Sequence, residues 1–265
     1  MLHVSIKAEE IFSFLGVPVT NSLLASFIVV IIFLLIGLYF SRNAESQSKP
    51  IFFLRFIFSK LYETFEPILG SLTDRAFPIV VSLFLFILLS NWLGLLPGFG
   101  SITYTKAPAQ KHVEETTPNR INTTEESAKK EHESAPTPLL RGATADLNTT
   151  LALAILAFFT IQYYGLQEVG VVGYLSKFIS FKSPINFFTG ILELVSEFSK
   201  VISFSFRLFG NIFAGEVLLA VVAFLIPILA SFPFLMLEVF VGFIQAIVFA
   251  MLTAVFINSA TAKYH

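Results

Sequence analysis

The sequence predicts an all-α integral membrane protein: a single membrane domain of about five transmembrane helices plus an amphipathic helix on the membrane surface. Three observations predict it. Hydrophobic residues make up 55% of the 265 and charged residues only 13%, a balance unsuited to a water-facing exterior. Apolar runs recur at about 20 residues, the length that crosses a hydrocarbon core as a helix. The polar residues, in turn, are concentrated in one stretch, 101–146, apart from those runs.

The first span is predicted at 22–40. Lys7, Glu9 and Glu10 precede it, Arg42 and Lys49 follow, and no small-residue cleavage pattern comes after it. That order favours an anchor with its N terminus outside over a signal peptide. Next, IFFLRFIFSKLYETFEPILG mixes Arg55 and Lys60 with aromatic residues, which predicts an amphipathic helix at 50–70 on the inner surface. The second span, 76–96, ends in NWLGLLPG, where Trp92 suits the interface and Pro97 with Gly98 stops the helix.

Residues 101–146 are rich in Ser, Thr, Glu, Lys and Pro and predict a flexible outer loop. Its bases are matched by acids, and the N-x-T patterns at Asn122 and Asn148 are what chance yields in so polar a setting. The third span is placed at 147–165, followed by an inner segment with Lys177 and Lys182. In SPINFF, Ser183 is a cap and Pro184 a first-turn residue, opening a helix that extends to 226. Continuous, it measures about 63 Å, twice the hydrocarbon thickness, so it is strongly tilted or partly outside the core. Pro227 and Pro233 bracket a turn, and a last long helix covers 233–258.

Several function classes are excluded by the same residues. A net charge of -1, with no basic run interleaved with aromatics, argues against nucleic acid. The absence of cysteine removes disulfide and thiolate chemistry. His3, His112, His132 and His265 lie in polar tails or the loop without a metal-ligand spacing, so neither metal nor cofactor is expected. No G-x-x-x-x-G-K-[ST] pattern occurs, which leaves nucleotide chemistry elsewhere. An ion-coupled secondary transporter with an intramembrane Arg/Glu site is the alternative class, but no internal repeat supports it.

The polar residues of the last two helices carry the functional signal. Arg207 is the only arginine after Asp146 and has apolar residues on both sides. On a helix, Lys200 lies about 20° from it and Glu193 and Asn211 about 40°, forming one stripe, while Glu216 falls about 180° away. A charge at the bilayer centre costs about 2.5 to 3.5 kcal/mol, which argues for a role. The plainer readings are an internal Arg–Glu ion pair for Arg207 and snorkelling from the inner helix end for Glu193, Glu197 and Lys200. Glu238 and Gln245, seven apart, share a face, with Ser259 continuing it. Glu238 has no base near it in sequence and is a candidate for proton exchange near neutral pH. The plainer reading of Gln245 is an interhelical hydrogen bond.

LELVSEFSKVISFSFRLFGNIFAGE, Leu192 to Glu216, followed by LEVFVGFIQAIVFAMLTAVFI, Leu237 to Ile257, resembles subunit a of the F-type ATP synthase, a component of its F0 sector. NWLGLLPG, Asn91 to Gly98, resembles that family's second span. The resemblance covers the C-terminal third and, by architecture, the first two spans, but not 101–146. It implies that the last two helices form a tilted hairpin against a ring of c subunits, with b-type peripheral stalk subunits and the rest of the F1F0 complex as further partners, protons as cargo and lipid around it. It implies that Arg207 faces the rotor carboxylate. Glu216, Glu238, Gln245 and Asn211 would line or adjoin the outer half-channel, and Glu193, with Ser199 and Ser203, the inner one. Some members carry histidine at one of the positions of Glu216 and Glu238, and some an acid at Gly94, so an imidazole relay is not implied here. The membrane expected is a bacterial inner membrane first, a plastid thylakoid or mitochondrial one second.

Overall fold

The structure, a computed structural model, describes residues 9–14, 17–43, 48–96, 103–104, 137–138, 140–178, 184–225 and 231–262. The predicted roles of Pro97, Gly98, Lys182, Ser183 and Pro227, and most of the 101–146 loop, fall outside these residues. The protein is an all-α integral membrane protein. Five helical stretches are long and apolar enough to cross a bilayer: Asn21–Arg42, Lys49–Gly94 taken through its bend, Leu147–Val169, Pro184–Leu225 and Phe232–Thr261.

The first described element is a short antiparallel hairpin that the sequence reading did not anticipate, β1 (Glu10–Phe14) paired with β2 (Val17–Thr20). Thr20 ends the hairpin and caps the first helix, α1 (Asn21–Arg42), its side chain accepting from the Leu23 N–H at 3.3 Å. That bond satisfies one of the orphan donors of the first turn. Helix α2 (Lys49–Leu69) has a proline in its first turn and stops at Gly70, whose φ of 56° suits only a residue without Cβ. It is two-faced: Ile51, Phe65 and Leu69 are buried, whereas Phe52, Phe53, Phe56 and Lys60 are exposed. After a single 3-10 turn, α3 (Thr73–Gly94) begins with Asp74 in its first turn, where a carboxylate complements the helix dipole.

Thr103–Tyr104 (β3) pairs antiparallel with Thr137–Pro138 (β4), which brings the two ends of the intervening chain together. Residues 140–146, assigned to the flexible loop from their composition, are folded instead. Ala143–Ala145 forms a 3-10 turn whose three residues are buried, and Asp146 is buried too. Asp146 caps α4 (Leu147–Val169) through the Asn148 N–H at 3.2 Å and accepts from the Ser22 hydroxyl of α1 at 2.8 Å. Gly170, at φ 80°, then turns the chain into the short α5 (Val171–Phe178). Helix α6 (Pro184–Leu225) is continuous over 42 residues, and α7 (Ser231–Thr261) carries Pro233 in its first turn, where a missing N–H is tolerated.

Helix α7 lies at the centre, packed against α2, α3, α4 and α6. Its Ala246, Ala250, Ala254 and Ile257 recur on one face and are fully buried. Small side chains let helix backbones approach closely, which matters in lipid, where burial from water drives nothing. Phe204 of α6 lies against Phe249 and Phe256 of α7 with ring centroids 4.9 and 5.7 Å apart. Asn91 donates to the Gly242 carbonyl at 3.0 Å and Trp92 to that of Val239 at 3.1 Å, fastening α3 to α7. Each such interhelical bond contributes about 0.6 kcal/mol on average in a membrane. Helix α5 folds back on α6 at Gly190, where the Phe178 carbonyl occupies the space a Cβ would need.

Candidate functional site

Helix α6 sets the site because most of its surface faces away from the bundle: Ile191, Val195, Phe198, Ile202 and Phe206 are all exposed. Arg207 lies among them and is exposed as well. Its Nη2 donates to Ser203 Oγ at 3.3 Å, and no carboxylate among the described residues pairs with it. The internal ion pair considered from sequence is therefore not what holds Arg207. Asn211, one turn further on, is exposed, and Ser199, one turn before Ser203, donates to its own helix at the Val195 carbonyl, 2.8 Å. Neither serine bonds to Glu193. Gln245 is half-buried and makes no hydrogen bond among the described residues, so it is not the interhelical tie considered from sequence.

On the opposite side of α6, Glu216 points into a small cavity that Glu238 of α7 also lines. The other walls are Ser90, Asn91, Gly94 and Leu95 of α3 and its end, Gly142, and Ile212 of α6. The volume, about 20 Å³, is room for a single water molecule. Glu238 is buried and lies directly against Gly215; any side chain there would collide with its carboxyl group. It has no hydrogen-bond or ion-pair partner among the described residues. Glu216 does have one: Arg141, from the folded 140–146 segment, approaches its Oε2 at 3.2 Å and also lies over the Phe213 ring. Two glycines make this possible. A Cβ on Gly94 would stand 3.0 Å from Gly142 Cα, and one on Gly142 would stand 3.3 Å from Glu216 Oε1.

At the other end of α6, Glu193 pairs with Lys177 at 2.7 Å. Lys177 also reaches Glu197 at 3.6 Å, and Glu197 receives Lys200 at 2.7 Å and the Gln162 amide at 3.0 Å. Tyr174 donates to the other end of that amide at 2.6 Å. Glu193, Glu197 and Lys200, for which snorkelling is the plainer reading of the sequence, sit in a cluster in which two acids face two bases. Lys200 additionally lies 4.6 Å from the centre of the Phe256 ring, a cation–π geometry. Hence Lys200 and Glu193 belong to this cluster, while Arg207 and Asn211 of the same predicted stripe stay free of it.

Sequence reasoning missed Arg141, Ser90, Asn91 and Glu197 as members of these sites. For Glu197 the signal was present: it lies four residues after Glu193, on the same face. For Arg141 the only hint was the run of small residues Gly142 to Ala145 between a polar tail and an apolar helix.

The chain matches the family model described as ATP synthase A chain over residues 23–258. It is 32% identical to the ATP synthase subunit a of Mycobacterium marinum over 97% of this chain and 94% of that relative. The subunit a of Mycobacterium tuberculosis gives the same identity and coverage. That of Gloeobacter violaceus is 33% identical over 89% of this chain and 82% of its own length.

Proposed function

Because the chain belongs to the ATP synthase A chain family, we propose that it is the stator that carries protons to and from a carboxylate on a ring of c subunits. ATP chemistry belongs to other subunits of that complex. A proton from outside reaches the cavity of Glu216 and Glu238 and passes to the rotor carboxylate. Neutralised, that carboxyl group can travel through lipid, where its charged form is too costly. After most of a turn it meets the inner end, where the cluster of Glu193 and Glu197 receives the proton. Arg207 stands between the two ends. Its permanent charge favours the ionised form of the arriving carboxylate and repels a proton attempting a direct crossing. Asn211, Gln245, Ser199 and Ser203 flank that path. The tilted packing of α6 and α7 against the ring, attachment to b-type stalk subunits and a bacterial inner membrane complete the reading; the bacterial relatives support the last of these.

The observation that carries this is the exposure of Arg207 without a carboxylate partner among the described residues. A charge so placed needs a counter-charge from a neighbour. The test is ATP-driven proton pumping in vesicles containing the assembled complex. Arg207→Ala is expected to abolish pumping with assembly intact, and Arg207→Lys to leave a small residue, since a buried lysine can lose its proton. Wild-type pumping by Arg207→Ala would overturn the reading.

A further inference from the structure

Ser90 of α3 is fully buried, and its hydroxyl has no hydrogen-bond partner among the described residues. Other buried hydroxyls in these helices are partnered, Thr253 and Thr160 by their own backbone at the Phe249 and Leu156 carbonyls, 2.9 and 2.8 Å, and Ser22 by the Asp146 carboxylate at 2.8 Å. Ser90 has neither kind of partner among the described residues, and it lines the same cavity as Glu216 and Glu238. Its neighbours there are already engaged. Asn91 spends its amide on Gly242 and its carbonyl on Thr144, at 3.0 and 2.6 Å, and Glu216 is drawn towards Arg141. Glu238 remains without a partner among the described residues. A cavity of about 20 Å³ with a hydroxyl and two carboxyl groups on its walls has both the space and the polar partners that a buried water requires.

We propose that Ser90 holds one water molecule between Glu216 and Glu238, and that this water does here what an imidazole would do: it passes the proton from one carboxyl group to the other. The step balances without a further reactant. Glu216 gives its proton to the water oxygen while the water gives one of its own to the Glu238 carboxylate, so the negative charge moves from Glu238 to Glu216 and the water is regenerated. Ser90 is a positioning residue in this step; its hydroxyl fixes the water and exchanges no proton of its own. The inference rests on the outer half-channel proposed above and names how its two acids communicate.

The experiment is ATP-driven pumping in vesicles carrying the complete complex. Ser90→Ala is expected to slow pumping by about tenfold, less than the roughly 10²- to 10⁴-fold of losing a proton-transfer group outright, because both carboxyl groups remain. Ser90→Thr keeps the hydroxyl and is expected to restore the wild-type rate. Ser90→Cys puts the one thiol into a cysteine-free chain, so silver ion, which reaches a thiol only through water, is expected to block that variant and spare the wild type. Wild-type pumping by Ser90→Ala, or indifference of Ser90→Cys to silver, overturns the proposal; if Ser90→Ala does not assemble, the silver result decides alone. Arg207→Ala in the same vesicles separates the two levels. Pumping that survives it overturns the stator reading, whereas pumping lost there but intact in Ser90→Ala removes only the water.

Discussion

Glu216 sits between two influences, the Arg141 guanidinium on one side and the cavity on the other. If the pair acts as a unit, its removal is non-additive. Arg141→Ala and Glu216→Gln are each expected to reduce pumping, while the double variant loses less than the product of the two. The coupling expected is about 0.5 to 3 kcal/mol, read from the four pumping rates. Purely additive losses would mean that Arg141 serves only the packing of its segment. Glu216 and Glu238, which the structure brings to one cavity, stand out in the sequence because a polar side chain inside an apolar run is conspicuous at any helical phase; Arg207 and Gln245 stand out for the same reason but do not line that cavity. Arg141 and Ser90 do not stand out, because one lies in a polar stretch and the other is a common residue in a membrane helix. Their surroundings come from α3, α6 and the 140–146 segment meeting, which no single helix's periodicity expresses.

Among the elements, the long helices were legible from length and hydropathy alone, including the unusual reach of α6. The N-terminal hairpin was not: EIFSF and VPVT are too short to show a period, and Pro18 weakens the second as a strand signal. Nor was the fold of 140–146, since LRGATAD is too short and too mixed to show a period. This segment makes Gly94 a sensitive position, since its missing Cβ is what lets α3 touch Gly142. Gly94→Asp is expected to push the segment outward, part Arg141 from Glu216 and destabilise the protein by about 1 to 3 kcal/mol. Thermal unfolding of the detergent-solubilised protein reads this directly. An unchanged midpoint would mean the segment yields without cost, and an acid at this position would then be freely interchangeable with glycine.

For the molecule as a whole, the β3–β4 pairing closes the polar loop at its base. Chain between closely spaced ends adds little to stability, because closure entropy grows only slowly with length. Replacing residues 105–136 by a short Gly/Ser linker is therefore expected to leave pumping within about twofold of wild type. A larger loss, with the complex assembled, would give the loop a part in proton entry or in contact with another subunit. The outward face of α6 has a consequence of a different kind. Arg207 is exposed in the solitary chain, and a charge so placed at the bilayer centre carries a penalty of about 2.5 to 3.5 kcal/mol, which a carboxylate-bearing neighbour would relieve. The unassembled subunit is thus built to be less comfortable than the assembled one. On the reading proposed above, the charge that directs protons during turnover would also identify, before turnover begins, a subunit that has not yet found its ring.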